Sequence, residues 1–110
     1  MTAGGTMPGG AGDATHARPS ARRLCDAVPR GRVEVTGVVT ATRAHEWPDP
    51  VFEADLDDGT GRATLVYLGR RAVPGVAAGA RLTVEATLRS RGGRLELLNP
   101  RYRFEPGGDA

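Results

Sequence analysis

The sequence predicts a single all-β domain, a small Greek-key barrel of five short strands. Two observations predict it: apolar and polar residues alternate in several short segments, and turns rich in Gly, Asp and Pro separate these segments. A third observation is the turn Asp57-Asp58-Gly59-Thr60-Gly61 at the centre of the pattern. Asp offers side-chain bonds to the backbone and Gly tolerates positive φ, so this turn favours a tight hairpin.

The first three strands are predicted on both sides of a Pro-bounded loop. Strand 1 covers about residues 32–44, and Gly37 within it indicates a bulge or sharp bend. The loop 44–50 contains Pro48 and Pro50, strand 2 covers about 51–57, and strand 3 covers about 62–68. Alternation places these residues inside: Phe52, Ala54, Leu56, Ala63, Leu65 and Tyr67. It places these outside: Glu53, Asp55, Arg62, Thr64 and Val66.

The last two strands follow a connection, residues 69–79, in which Pro74, Gly75 and Gly79 disfavour a long helix. Strand 4 covers about 80–90. Its predicted inner residues are Leu82, Val84, Ala86 and Leu88, and its predicted outer residues are Arg81, Thr83, Glu85, Thr87 and Arg89. The segment Arg91-Gly92-Gly93-Arg94 predicts a two-residue hairpin turn, followed by strand 5 at 95–98, a break at Asn99-Pro100 and a short extension.

Five strands with a long, Gly-bent first strand and a non-strand connection after strand 3 are typical of the OB-fold, a five-stranded Greek-key barrel. The helix that usually follows strand 3 is expected to be reduced here to a turn or a short 3₁₀ segment. A five-stranded SH3-like barrel is the structural alternative.

The barrel is predicted to cover residues 30–105. Residues 1–22 and 106–110 are rich in small and polar residues, so both are expected to be disordered tails. Residues 23–29 are expected to form a short helix or linker. That helix could extend over 20–28, with Ser20 as its cap.

Composition excludes several classes of protein. The 110-residue chain carries a formal net charge of +2, and all 15 of its basic residues are Arg. Codon bias explains this use of Arg, and so does a preference for bidentate phosphate contacts. The single Cys25 cannot form a disulfide within the chain, so a cytoplasmic location is expected. No apolar run reaches the roughly 18 residues of a membrane helix, and no signal peptide is predicted.

An ordered set of motifs resembles a known family. The set includes Val33-Glu34-Val35-Thr36-Gly37-Val38-Val39, Ala54-Asp55-Leu56-Asp57-Asp58-Gly59-Thr60-Gly61, Leu65-Val66-Tyr67-Leu68-Gly69-Arg70-Arg71, Pro74-Gly75-Val76 and Gly93-Arg94-Leu95-Glu96-Leu97-Leu98-Asn99-Pro100-Arg101-Tyr102. Over about residues 30–105 the chain resembles the small actinobacterial OB-fold nucleic-acid-binding proteins. More distantly it is similar to the wedge-type OB domains of branch-migrating helicases and the anticodon-binding domains of some aminoacyl-tRNA synthetases. The resemblance implies non-catalytic binding of single-stranded DNA or RNA with little sequence preference.

The charges are divided unevenly along the chain. Residues 34–58 hold one Arg and seven acidic residues, whereas residues 59–104 hold nine Arg and two acidic residues. Glu53 and Asp55 on strand 2 are expected to repel phosphate, which would shift a binding surface towards strand 3, the corner at Arg70 and Arg71, and the hairpin at 91–94. Alternatively, the acidic and basic halves pair across strands and leave no continuous basic groove.

The candidate nucleic-acid-binding residues combine one aromatic ring with cations. Trp47, in the loop between strands 1 and 2, is the best candidate for base stacking, and packing against the barrel end is its alternative role. The remaining candidates lie on strand 3, at its end and on the last hairpin: Arg62, Thr64, Arg70, Arg71, Arg91 and Arg94. The expected partner is single-stranded nucleic acid, with a protein partner possible, no membrane, and a monomer or weak dimer as the oligomeric state.

No catalytic site is predicted, and neither a cofactor nor a metal. The acidic residues form no recognisable acid/base pair, and His16 and His45 lie far apart in sequence. Gly59-Thr60-Gly61 lacks the Lys and following helix of a phosphate-binding loop. The alternative function is a protein-interaction or scaffolding OB module that binds no nucleic acid.

Overall fold

The computed structural model describes residue 19, residues 21–46 and residues 48–105. In these residues the chain forms one 3₁₀ turn and six strands, and the five predicted strands are confirmed. The predicted extension after strand 5 forms the sixth. The strands are β1 (Arg32–His45), β2 (Val51–Asp57), β3 (Arg62–Leu68), β4 (Arg81–Arg91), β5 (Arg94–Leu98) and β6 (Arg101–Phe104).

Five of these strands close into a barrel in the order β1-β2-β3-β5-β4, with β4 returning to β1. The long β1 makes closure possible because its first half pairs with β4 and its second half with β2. β3 and β5 are parallel, and the other neighbours are antiparallel. This is the OB-fold, so the predicted fold class is confirmed and the SH3-like alternative is set aside. β6 pairs with the first half of β4, beyond the break at Asn99.

Gly37 does not form the predicted bulge, and glycine is needed at this position for another reason. The pairing of β1 with β4 continues without a shift through Gly37, which lies opposite Leu82. The irregularity in β1 lies instead between Val39 and Ala41, where its pairing with β2 shifts. A Cβ atom on Gly37 would lie 2.5 Å from the carbonyl oxygen of Asp57. Glycine is therefore needed here because two segments of backbone approach each other closely.

The inner residues predicted from alternation are confirmed. Every one of those on β2, β3 and β4 is at most 7% exposed, and they form the core together with Val33, Val35, Val39 and Leu97. Three predicted outer residues, Thr64, Val66 and Thr83, are buried as well. The Thr64 hydroxyl donates to Asp55 and that of Thr83 to Glu105. Acidic side chains thus contact the hydroxyl groups of these two outer-face threonines.

The segment before β1 packs on the barrel, although Ala21 falls within the predicted tail. Ala21 forms a parallel bridge to Val33, and both Ala21 and Leu24 are buried. The predicted helix is reduced to the 3₁₀ turn Leu24–Asp26, because the extended bridge at Ala21 prevents a helix from starting near residue 20. Ser20, residues 1–18 of the predicted tail 1–22, and the predicted tail 106–110 lie outside the described residues.

The turn between β2 and β3 holds this N-terminal segment in place. The Asp58 carboxylate accepts hydrogen bonds from the backbone N–H of Thr60, Gly61 and Leu24, at 2.8, 3.0 and 2.8 Å. Gly59 has φ of +88°, as the predicted tight turn requires. Across the barrel, the connection between β3 and β4 contains no helix, as expected, and buries Val73 and Val76.

Candidate nucleic-acid interface

Polar residues lie side by side on the outer face of the barrel, across five neighbouring strands. Strand register places Arg43 of β1 opposite Glu53 of β2, and Asp55 opposite Thr64 of β3. Thr64 lies beside Glu96 of β5, which in turn lies opposite Arg89 of β4. Residues far apart in sequence therefore form one polar band, which we call the outer band: Arg43, Glu53, Asp55, Thr64, Glu96, Arg89 and Arg94.

Arg43 neutralises the acidic residues of β2. Its Nε donates to Glu53 at 2.8 Å, and its two terminal nitrogens donate to the two Asp55 oxygens at 3.0 and 3.1 Å. This fork geometry is the strong form of an Arg–carboxylate pair. The Arg43 guanidinium holds the pKa of Asp55 below its ordinary value of 3.8, against the effect of partial burial. Glu53 and Asp55 of β2 are thus paired by the one Arg of their own segment, and this pairing weakens the expected repulsion of phosphate.

Glu96 is a buried carboxylate that holds two guanidinium groups. Glu96 is 2% exposed and accepts bonds from Arg89 Nε at 3.0 Å and Arg94 Nη2 at 2.6 Å. Burial raises the pKa of Glu96, but the bonds from Arg94 and Arg89 outweigh it, so the pKa lies below its ordinary value of 4.5. The side chains of Arg89 and Arg94 remain 40% and 49% exposed. One anion therefore fixes two cations whose outer sides still face water.

A groove of about 330 Å³ runs beside this pair. Its apolar floor includes Val51, Val66 and Leu68. Its basic rim comprises Arg89, Arg94 and Arg91, and Arg91 lies opposite Arg94 at the hairpin. Gly92 and Gly93 both have positive φ, so the predicted two-residue turn is confirmed. We call this cavity, with its floor and rim, the hairpin groove; His45, Glu53 and Glu96 complete its lining.

Of the strand 3 candidates, Thr64 lies within the outer band and Arg62 lies two residues before it on β3. Arg62 is exposed and forms a 3.3 Å ion pair with Asp57 across the β2–β3 hairpin. Thr64 is buried, and its hydroxyl donates to Asp55 at 3.0 Å, which orients that carboxylate towards Arg43. Arg62, Thr64 and Arg94 line one small cavity of about 210 Å³. Of these three, Arg62 and Arg94 present charge to solvent.

The other candidates lie apart from this group. Arg71 donates from Nε to both carboxylate oxygens of Glu46, at 2.8 and 3.0 Å, and so ties the β3–β4 connection to the β1–β2 loop. Arg70 is exposed and lines a different cavity, beside Tyr67 and Tyr102. Trp47 lies outside the described residues.

Three contributors to the interface, Arg43, Arg89 and Glu96, were missed as site residues. The signal that could have found Arg89 and Glu96 is the hairpin itself. A two-residue Gly-Gly turn places Arg91 opposite Arg94, and counting back two residues on each strand places Arg89 opposite Glu96. Arg43 was harder to identify from the sequence, because the bulge in β1 shifts the strand register that places Arg43 near Asp55.

The free energy of unfolding is expected to fall as the solution is acidified. Asp55, Asp58 and Glu96 all have pKa values lowered on folding, so the unfolded chain binds protons first. Their contribution is complete above the ordinary values of 3.8 and 4.5 and is lost as pH falls through the folded-state values. Urea unfolding at a series of pH values measures this. A midpoint that stays constant on acidification would contradict the expectation.

The part of the chain that the structure describes, residues 19, 21–46 and 48–105, contains no helix long and apolar enough to cross a membrane. It also contains no cluster of three or more His, Cys, Asp or Glu residues that could hold a metal ion.

Comparison with known proteins identifies the fold through structure alone. No protein-family model matches the chain, and no curated protein matches it. The structure of RecG bound to a three-way DNA junction is similar with a TM-score of 0.67 and 20% identity, over 83% of this chain. The match spans 13% of the RecG chain. The likeness is therefore to a small part of that protein.

Two replication protein A structures are also similar. The second OB-fold domain of replication protein A from Methanococcus maripaludis has a TM-score of 0.60 and 14% identity, covering 78% of this chain and 95% of that domain. A replication protein A heterotrimer bound to single-stranded DNA has a TM-score of 0.57 and 19% identity, covering 84% of this chain and 71% of the matched chain. At identities this low, the structural similarity shows the OB-fold alone. Membership of the actinobacterial family stays a prediction.

Proposed function

We propose that this chain is a non-catalytic module that binds single-stranded DNA or RNA across the hairpin groove, with little sequence preference. The observation that supports this most directly is the pair Arg89 and Arg94, which buried Glu96 holds in place beside Arg91. Because these guanidinium positions are set before a ligand arrives, binding costs less side-chain entropy. Their exposed sides can donate bidentate bonds to phosphate oxygens.

The groove suits a single strand because it places apolar and cationic surfaces side by side. Unpaired bases can contact Val51, Val66 and Leu68 on the floor while the phosphates meet the Arg rim. Every nucleotide carries the same phosphate, so contacts of this kind select little for sequence. The groove lining contains no Asn or Gln, whose amides commonly read adenine.

Trp47 is proposed as the stacking residue. His45 and Val51, which flank its loop, both line the hairpin groove, and this supports a place for the loop beside it. A base stacked on an aromatic ring contributes about 1–3 kcal/mol whatever the base. Two of the structural neighbours were solved with DNA, which supports the proposal by analogy of fold.

Fluorescence anisotropy of labelled single-stranded DNA and RNA oligomers, repeated across salt concentrations, tests this function. If the Arg rim binds three phosphates, the log–log slope of affinity against salt is expected to be about −2, or roughly −0.7 per phosphate. Trp47 emission should be quenched in the same titration. Absence of binding to either polymer at low salt would reject the proposal.

A protein-interaction module is the second candidate, and one observation favours it. None of the Phe and Tyr residues that the structure describes lines the hairpin groove, so its described lining offers no aromatic ring for base stacking. A groove of this kind can also bind a protein surface. Weak association with oligonucleotides that does not change with salt would favour this candidate.

A further inference from the structure

A second cavity, of about 530 Å³, shares only Leu68 with the hairpin groove. It lies where the end of β3, the β3–β4 connection and the β5–β6 junction meet. Its volume falls within the range of about 300–1,000 Å³ that is usual for small-molecule sites. We call it the Tyr67 cavity, and it is lined by Tyr67, Leu68, Arg70, Val73, Asn99, Pro100, Arg101 and Tyr102.

The charge of the Tyr67 cavity sets it apart. Each of the four other cavities described on this barrel includes at least one acidic residue, whereas the lining of this one includes none. Arg70 and Arg101 are both exposed. In the described residues neither forms an ion pair. The cavity therefore favours an anionic ligand.

A buried hydroxyl without a partner indicates a ligand independently of charge. Tyr67 is 6% exposed, and its hydroxyl has no hydrogen-bond partner in the described part of the chain. Such a group costs about 1–3 kcal/mol, and native structures usually supply a partner. Burial, followed by the Tyr102 phenol, raises the pKa of Tyr67, so the hydroxyl keeps its proton and can donate.

The remaining walls suit a flat ring. Tyr102 packs edge-on against Tyr67, with ring centroids 6.1 Å apart and an interplanar angle of 80°. The Asn99 Oδ1 accepts the Leu68 backbone N–H at 3.0 Å, which leaves the Asn99 amide N–H groups as donors. With Pro100 beside them, these residues combine apolar walls with hydrogen-bond donors.

We propose that the Tyr67 cavity binds a nucleotide, with its phosphate between Arg70 and Arg101 and its ring beside Tyr102 and Pro100. Tyr67 and Asn99 supply hydrogen bonds to acceptors of this ligand. The nucleotide comes either from the phosphorylated end of a nucleic-acid strand or from a free mononucleotide. This site does not depend on the hairpin groove, because no residue of the basic rim lines it.

Titration of the intact protein with adenosine 5′-monophosphate, followed by ¹H–¹⁵N NMR, tests the proposal. The nucleotide is expected to shift the amides of Tyr67, Asn99 and Arg101, and inorganic phosphate or adenosine alone should bind more weakly. Arg70→Ala and Arg101→Ala should each weaken binding about tenfold, ~1.4 kcal/mol. Arg81→Ala is the matched control, because Arg81 is exposed and lines none of the five described cavities.

Tyr67→Phe separates ligand binding from folding. It removes only the buried hydroxyl, so nucleotide binding should fall about fivefold, ~1 kcal/mol, while stability stays equal or rises. Binding that is unchanged in Tyr67→Phe and Arg70→Ala, or amides that do not shift at millimolar nucleotide, would overturn the site.

Two further experiments identify the source of the nucleotide and test whether the Tyr67 cavity binds it independently of the hairpin groove. Tighter binding of 5′-phosphorylated than of unphosphorylated oligomers would identify a strand end, and equal binding would identify the free mononucleotide. Arg91→Ala with Arg94→Ala should leave mononucleotide binding intact even if oligomer binding is lost. The Tyr67 cavity would thus stand if the proposed function failed.

Discussion

Gly37→Ala is expected to lower the free energy of unfolding by about 3 kcal/mol, the upper part of the usual cost of overpacking. The added Cβ would lie 2.5 Å from the Asp57 carbonyl oxygen, 2.9 Å from its carbonyl carbon and 3.1 Å from the Asp58 Cα. All three atoms belong to the backbone, so no side chain can rotate to relieve the overlap. Relief would require β1 to move away from the end of β2. Urea unfolding followed by circular dichroism measures the loss.

Gly59→Ala is the matched comparison, because Gly59 lies two residues beyond Asp57. Gly59 has φ of +88°, but nothing lies within 4 Å of the position that a Cβ would take. Its replacement should therefore cost only the left-handed backbone conformation, about 1 kcal/mol. Equal losses in the two variants would show that backbone conformation, rather than close approach, explains Gly37.

Much of this fold could be predicted because its determinants are local in sequence. The Gly92-Gly93 turn, the Asp-Gly turn after β2 and the inward alternation of Leu82 and Val84 each depend on a few neighbouring residues. The order of the strands follows from the same elements, because a first strand long enough to pair on two sides closes a five-strand barrel. The role of Gly37 was the exception, since the atoms it approaches are 20 residues away in sequence.

The electrostatics of the outer band could not be read from local pattern. Counting charges by segment predicted an acidic β2 that repels phosphate, but the pairing of Arg43 with Asp55 depends on the register across a bulge in β1. The burial of Glu96 likewise depends on Arg89 and Arg94 from both strands of the last hairpin. Pairings of this kind decide which Arg residues remain available to a ligand.

Arg91→Ala combined with Arg94→Ala is expected to weaken binding of single-stranded oligonucleotides about thirtyfold at low salt, ~2 kcal/mol. Both residues belong to the basic rim of the hairpin groove. Because the double variant no longer neutralises two of the phosphates, the log–log salt slope should become shallower by about 1.4. Anisotropy titrations of the two proteins at several salt concentrations measure both quantities.

The double variant changes net charge, so Arg81→Ala with Arg103→Ala is its matched control. Arg81 and Arg103 are exposed and lie outside the hairpin groove, so their removal should reduce long-range attraction while the basic rim stays complete. Arg91→Ala alone removes a rim charge and leaves the ion pairs of buried Glu96 in place. This is because Arg91 forms no ion pair in the described residues, whereas Arg94 pairs with Glu96. If both double variants weaken binding equally, overall charge rather than the groove attracts the strand. If the salt slope becomes shallower in Arg91→Ala and in Arg91→Ala with Arg94→Ala, but not in the control, the phosphates bind at the hairpin.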